Sequence, residues 1–98
     1  YQYPHCLERY VECANFCGIS GKDDQDPFEK FLAAIDQLKE KVGIKKTIAD
    51  YGIREEDFLA TLDEMVENAF DDQCTGANPR YPLMSEIKDM YLKAYYGK

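Results

Sequence analysis

Apolar residues return every three or four positions in four stretches of this chain, which is the period of a helix with one buried face. No stretch alternates between apolar and polar residues as a half-buried strand does. The pattern predicts an all-α protein, a compact bundle of about four main helices with a short helical corner, in which residues 1–98 form a single helical domain or subdomain. The apolar stripes are Leu7, Val11 and Ala14; Phe28, Phe31, Leu32, Ile35, Leu38 and Val42; Phe58, Leu62, Met65, Val66 and Ala69; and Ile87, Met90, Tyr91, Ala94 and Tyr95.

The second helix has the clearest boundary signals. Asp26 is its predicted N-cap, Pro27 takes the first helical position, and Glu29 supplies the acid of a capping box. Gly43 favours an end after about Val42, since glycine readily adopts the left-handed conformation that closes many helices. The sequence therefore predicts a helix from Asp26 to about Val42 with one buried face.

Shorter signals place the other helices. The first helix is predicted over residues 4–17, with Gly18 as its stop. Thr47 is positioned to cap a short helical corner through Asp50. The third helix is predicted to begin near Glu55. A run of three acidic residues starts there, and the positive end of the helix dipole favours negative charge in the first turn.

A structured loop, FDDQCTGANPRYPL, is predicted to join the third and fourth helices over residues 70–83. Gly76 permits a positive φ, and Pro79 pushes Asn78 away from the helical region toward an extended conformation. Ser85 is the predicted N-cap of the last helix.

The charges of this loop allow two interpretations. Asp71, Asp72 and Arg80 form an ion-pair clamp that fixes the loop, or they belong to a functional site, because such loops carry function more often than the elements they connect. On spacing alone the structural interpretation is favoured, with Asn78 and Pro79 shaping the same loop.

The charge balance narrows the classes of partner. The chain has 19 acidic and 12 basic residues and a net charge of -7. This argues against binding nucleic acid, which needs a basic patch, and against binding an anionic membrane surface. No apolar run approaches the length that spans a bilayer, and no signal sequence is evident. We expect a cytoplasmic protein and, because the chain opens at Tyr1, a fragment or a processed piece.

The cysteines raise the question of a metal site. Cys6, Cys13 and Cys17 recur on one side of the first predicted helix, next to His5, the only histidine. Structural zinc sites usually pair their ligands closely, as in CxxC, and no such pair is present. We therefore expect all four cysteines, including Cys74, to be reduced, and those of the first helix to be buried in a core. Composition and spacing alone indicate only an acidic helical domain, without a catalytic constellation.

The loop sequence FDDQCTGANPRYPL and the following SEIKDMYLKAYYG closely resemble the carboxy-terminal end of bifunctional aldehyde-alcohol dehydrogenases. The second half of those enzymes is an iron-dependent alcohol dehydrogenase. The similarity extends through DYGIREEDFLATLDEMVENA and YPHCLERYVECANFCGIS, and is weakest from Lys22 to Asp26. Arg54 departs from the family, which usually has an acidic or small cap residue there. The resemblance implies the carboxy-terminal part of the helical domain of that half.

The resemblance also implies a chemistry for the parent enzyme. Acyl-CoA is reduced to aldehyde and then to alcohol, with NADH at both steps and Fe²⁺ at the alcohol-forming site. The metal ligands and the nucleotide-binding region of the family lie upstream, and His5 matches none of those motifs. We therefore assign no catalytic, metal or cofactor-binding residue here, and expect the piece alone to bind neither iron nor NAD and to be inactive. Its implied partners are the remainder of the parent enzyme and further copies, in a homo-oligomer or filament.

Within the resemblance, the loop approaches the active-site cleft of the parent. Cys74 is the candidate for a residue that lines the substrate pocket, with Thr75 and Gly76 beside it; the alternative is that Cys74 only packs the loop. A different hypothesis is an independent acidic module that binds a partner helix in a groove.

Overall fold

A computed structural model describes residues 6–98, and this part of the chain is helical, with no strand. It falls into two compact units, residues 6–44 and residues 45–98. The all-α prediction is confirmed. The helices are α1 (Leu7–Phe16), α2 (Gln25–Lys41), α3 (Glu55–Asp71) and α4 (Met84–Tyr96), with short 3₁₀ turns at Ala49–Tyr51 and Thr75–Ala77.

The unit of residues 45–98 has a continuous apolar core between α3 and α4. Phe58, Leu62 and Val66 lie one helical turn apart on α3 and are buried, as are Ile87 and Tyr95 on α4. The rings of Phe58 and Tyr95 stack with centroids 4.4 Å apart. The Tyr95 hydroxyl donates a hydrogen bond of 2.8 Å to the carbonyl of Ile53, so its polar end is satisfied. The apolar stripe predicted for the third helix is therefore its buried face.

The predicted helical corner is confirmed. The backbone N–H of Thr47 donates to Asp50 Oδ2, and the N–H of Asp50 donates to Thr47 Oγ1, each at 3.1 Å. The N–H of Ile48 donates to the carbonyl of Ala94 at 3.0 Å, which joins the corner to α4. Gly97, which ends α4 at a φ of 76°, lies so close to the corner that an added Cβ would sit 2.8 Å from Thr47 Cγ2.

Arg54 shows how the departure from the family pattern is accommodated. Its backbone is extended at the N-cap of α3, and its side chain makes no capping hydrogen bond. Its guanidinium instead pairs with Asp57 at 2.8 Å and with Glu56 at 2.6 Å, both in the first turn. The residue therefore contacts the acids that the helix dipole attracts there.

In the unit of residues 6–44, α1 packs against α2. Ala14 is fully buried, and the rings of Tyr10 and Phe28 meet edge to face with centroids 5.5 Å apart. Gly18 follows α1 with a φ of 79°, as its predicted role as a stop requires. The predicted start of the first helix at residue 4 lies outside the described residues.

The predicted N-cap of the second helix is wrong. α2 begins at Gln25, and the carboxylate of Asp23 accepts the N–H of Asp26 at 3.0 Å. Asp26 instead pairs with Lys30 at 2.8 Å, and Glu29 accepts a hydrogen bond from the Gln25 side chain. The acids of this stretch compete for the same orphan N–H groups, and the path of the loop decides which one reaches them. At the other end, α2 closes at Lys41 before Gly43, as predicted.

The prediction that α2 buries its whole apolar face is also wrong. Exposure rises toward its C-terminus, to 59% at Leu38 and 63% at Val42. α1 has 10 residues and α2 has 17. At 1.5 Å per residue, α1 is about 10 Å too short to cover its neighbour.

The expected burial of the thiols in a core is likewise not observed. All four cysteines are free, as predicted. Cys13, Cys17 and Cys74 are exposed, and Cys6 is half-buried. The cysteines of α1 lie beside the stripe that meets α2 rather than on it.

Candidate functional site

The loop after α3 begins with an aspartate that folds it back. Asp72 is extended and ends the helix, and its Oδ1 accepts the backbone N–H of Cys74 at 2.7 Å. Its carbonyl accepts the N–H of Thr75 at 3.0 Å. The side chain of Asp72 thus replaces a backbone acceptor in a tight turn, as short acidic side chains often do.

Thr75 fixes the centre of the loop. Its hydroxyl donates to the carbonyl of Ala69 in the last turns of α3, so one of the open carbonyls of that helix end is satisfied. Gly76 does not use a positive φ, which corrects the prediction for this residue, because the 3₁₀ turn keeps it right-handed. Asn78 is extended before Pro79, as predicted, with a φ of -64° and a ψ of 137°.

A second anchor fixes the far end of the loop. Arg80 Nη2 lies 2.5 Å from Glu86 Oε1, and Glu86 Oε2 accepts the N–H of Leu83 at 2.9 Å. The hydrogen bond from Leu83 is the largest cause that lowers the pKa of Glu86 below its ordinary value of 4.5, and the charge of Arg80 lowers it further.

These contacts correct two predictions. α4 begins at Met84 after Leu83, so Ser85 is not its N-cap. At this end of the loop Arg80 pairs with Glu86, and the carboxylate of Asp72 accepts the N–H of Cys74, so these contacts differ from the hypothetical clamp. The guanidinium turns to Glu86 because that carboxylate already lies at the start of α4.

An open depression of about 470 Å³ lies between α3, the loop and α4. Its lining combines apolar groups with the polar ends of four side chains. Of the predicted pocket candidates, Thr75 lines it, whereas Cys74 and Gly76 are exposed on the loop and outside the lining. The lining residues are Met65, Asn68, Ala69, Asp72, Thr75 and Tyr91.

Sequence reasoning did not single out Asn68 and Tyr91 for this site. Asn68 lies one helical turn before Asp72 on α3, so its position on the same side was available from the helical period. Tyr91 was predicted as core, and its ring does pack against the core. Its place at the depression depends on how α4 lies against α3, which no local pattern reports.

Among residues 6–98, no group of three or more His, Cys, Asp or Glu side chains is arranged to hold a metal ion. The side chains of this range therefore do not fit an iron centre. His5 lies outside the described residues, and with it the hypothetical thiol cluster. No helix of the described range is long and apolar enough to cross a bilayer.

Comparison with known proteins identifies the family. The sequence model of the C-terminal region of the Fe-containing alcohol dehydrogenase family matches residues 1–95. The chain belongs to this family. It is 49% identical over 100 residues to the bifunctional aldehyde-alcohol dehydrogenase AdhE of Escherichia coli K12, an alignment that covers 100% of this chain and 11% of that enzyme.

Two further relatives share a smaller fraction of identical residues with this chain. The aldehyde-alcohol dehydrogenase of Clostridium acetobutylicum is 42% identical over 95 residues, which are 97% of this chain and 11% of the relative. The NADPH-dependent butanol dehydrogenase of Clostridium saccharobutylicum is 33% identical over 91 residues, or 93% of this chain and 24% of that enzyme. The chain therefore spans only a small part of the length of the relatives that it matches.

Proposed function

We propose that this chain is the carboxy-terminal helical part of the alcohol dehydrogenase half of a bifunctional aldehyde-alcohol dehydrogenase. The whole enzyme reduces acyl-CoA to aldehyde and aldehyde to alcohol with NADH. The observation that carries the proposal is the 49% identity to AdhE over the full length of this chain. An independent interaction module is not favoured, because the family model covers residues 1–95.

The contribution of the piece is architectural. Both units belong to one helical subdomain that walls the cleft in which the aldehyde reacts, with the loop of residues 70–83 facing it. The two anchors of the loop, at Asp72 and at Glu86, support this role, because a pocket wall must hold its shape. Between them, Cys74 is exposed with its backbone N–H bonded, so its side chain is available to line the cleft.

The cofactors belong to the rest of the enzyme in this proposal. The family is iron-containing, yet the described residues offer no set of ligands for iron. Iron supplies a Lewis acid that polarises the carbonyl of the aldehyde. The part of this chain is to shape the cleft and to exclude water from it. The four free cysteines fit a reducing compartment, which supports a cytoplasmic location. Assembly of the whole enzyme into homo-oligomers or filaments is part of the same proposal.

The test uses a chimera in which this chain replaces the matching 100 residues of E. coli AdhE. The chimera should reduce acetaldehyde with NADH. Cys74→Phe should lower kcat/KM for the aldehyde by roughly tenfold or more, because small displacements of a reacting group are costly, and leave the acyl-CoA step unchanged. Cys13→Phe, the same change at an exposed cysteine of α1, is the matched control.

Two results would contradict the proposal at different levels. A chimera that folds but reduces no aldehyde would remove the assignment of the chain to this half of the enzyme. Equal kinetics for Cys74→Phe and Cys13→Phe with several aldehydes would remove only Cys74 from the pocket.

A further inference from the structure

The C-terminal half of α2 presents an apolar surface that α1 leaves uncovered. It consists of Leu32, Ile35 and Leu38 on α2 and of Val42, the residue directly after α2, and all four are exposed. Contiguous apolar surface that is exposed to water often marks an interaction site in a folded protein. We call these four residues the α2 stripe.

The spacing of the stripe indicates what kind of partner it fits. Phe28, Ile35 and Val42 recur every seven residues, and so do Phe31 and Leu38, three positions after the first two. These are the a and d positions of a heptad pattern, whose side chains insert between those of a facing helix. A facing helix packs along such a seam at a shallow angle of about 20°.

α1 satisfies only the first part of this seam. It contacts Phe28 through Tyr10, with ring centroids 5.5 Å apart, and the first aromatic residues of α2 are half-buried. Leu32 and Ile35 are 42% and 38% exposed, and the exposed fraction is higher at Leu38, at 59%, and at Val42, at 63%. The uncovered length of about 10 Å corresponds to two helical turns, enough for the contacts of one further helix.

We propose that the α2 stripe is the docking surface for an amphipathic helix supplied by the larger remaining part of the enzyme. This inference rests on the proposed function. The chain spans 11% of AdhE, so nearly all of the surface that could cover the stripe lies in the rest of that polypeptide.

The residues beside the stripe indicate the charge of the partner. Lys39 and Lys41 occupy the e and g positions, which flank an a/d seam and influence the choice of partner. Lys39 lies 3.8 Å from Asp36 in its own helix, a long ion pair exposed to water. The docking helix should therefore carry acidic residues on both sides of its apolar stripe.

The test measures coverage of the stripe directly. Leu38→Cys and Gln37→Cys are each introduced into the 98-residue chain and into the AdhE chimera, and alkylation by N-ethylmaleimide is followed by mass spectrometry of the labelled peptides. Gln37 lies on the opposite, polar side of α2. In the chimera, Cys at 38 should react roughly tenfold or more slowly than Cys at 37, because thiol modification follows exposure. In the chain alone the two rates should be similar.

A second pair of variants keeps the test independent of labelling. Leu38→Glu should lower the thermal midpoint of the chimera by several degrees and leave that of the chain alone within about one degree, because a charge is costly only where the stripe is covered. Gln37→Glu adds the same charge to the polar side of α2 and should change neither the thermal midpoint of the chimera nor that of the chain alone.

The outcomes separate this inference from the proposed function. An active chimera in which positions 37 and 38 react equally, and in which both Glu variants melt alike, would overturn the docking surface and leave the enzyme assignment standing. Protection of position 38 in the chain alone would also overturn it. If that protection disappears together with a dimer on dilution, the occupant is a second copy.

Discussion

The two units of this chain are built from similar amphipathic helices, but the apolar faces of these helices are buried to different degrees in the two units. In residues 45–98, α3 and α4 enclose five buried apolar side chains, including the stacked rings of Phe58 and Tyr95. In residues 6–44, the buried apolar side chains are those of Ala14 and Pro27, and the four residues of the α2 stripe are exposed. An amphipathic pattern therefore shows that a face is suited to burial, while the length of the neighbouring helix decides whether it is buried.

The depression and the anchored loop belong to the well-packed unit. Asp72, Thr75 and Glu86 each bind backbone groups at the ends of α3 or α4. A loop fixed in this way holds a constant shape next to a rigid core, which a pocket wall requires. The α2 stripe instead exposes apolar side chains at helical spacing, as a surface that binds another helix does. In the enzyme proposed above, the two units would thus have different roles.

The largest expected effect is a loss of stability on truncating a buried side chain of the 98-residue chain, which would sharpen the contrast between the two units. Phe58→Ala should destabilise the unit of residues 45–98 by about 3–5 kcal/mol, because it removes a buried ring and leaves a cavity. Leu38→Ala, at an exposed position of α2, should change stability by no more than about 0.5 kcal/mol. Denaturant unfolding gives the free energies, and native-state hydrogen exchange locates the loss. Equal losses would show that the stripe is as well packed as the core.

A smaller effect concerns the close approach of the chain end to the helical corner. Gly97→Ala should cost about 1–2 kcal/mol, because alanine resists the left-handed conformation and its Cβ would press on Thr47. Gly76→Ala is the matched control, since Gly76 has no positive φ and open space around it. Thermal unfolding compares the two variants. A neutral Gly97→Ala would show that α4 is not held against the corner.

The smallest expected effect is a dependence on pH. Folding lowers the pKa of Glu86, so the charged carboxylate adds to the free energy of unfolding above pH 4.5. This contribution is lost as the pH falls through the lowered pKa. Glu86→Gln should therefore lower the unfolding midpoint at pH 7, and the difference from the wild type should shrink in acid.

Arg80→Met separates the causes of this pH dependence. The hydrogen bond from Leu83 is the larger cause and remains in this variant, so part of the dependence should persist. Complete loss of the dependence in Arg80→Met would show that the ion pair, and not the backbone hydrogen bond, sets the charge state of Glu86. Unfolding midpoints measured across the acid range distinguish the two results.

Much of the local structure could be predicted from the sequence. The four helices follow from apolar periodicity, the ends at Gly18 and Gly43 from glycine, and the corner from Thr47 and Asp50. The extended Asn78 follows from the proline after it. Each of these features depends on residues within a few positions of one another, so the chain carries the information locally. The resemblance in the loop sequence indicated the family in the same way, since the family model matches residues 1–95.

The tertiary structure decided the rest. Whether a stripe is covered, whether a thiol is buried, and whether Arg80 meets Asp72 or Glu86 all depend on how separate elements lie against one another. The same holds for Tyr91, which reaches the depression only through the packing of α4 on α3. A sequence pattern specifies which side of a helix avoids water. It does not specify which neighbour covers that side, because burial depends on contacts between residues far apart in the chain.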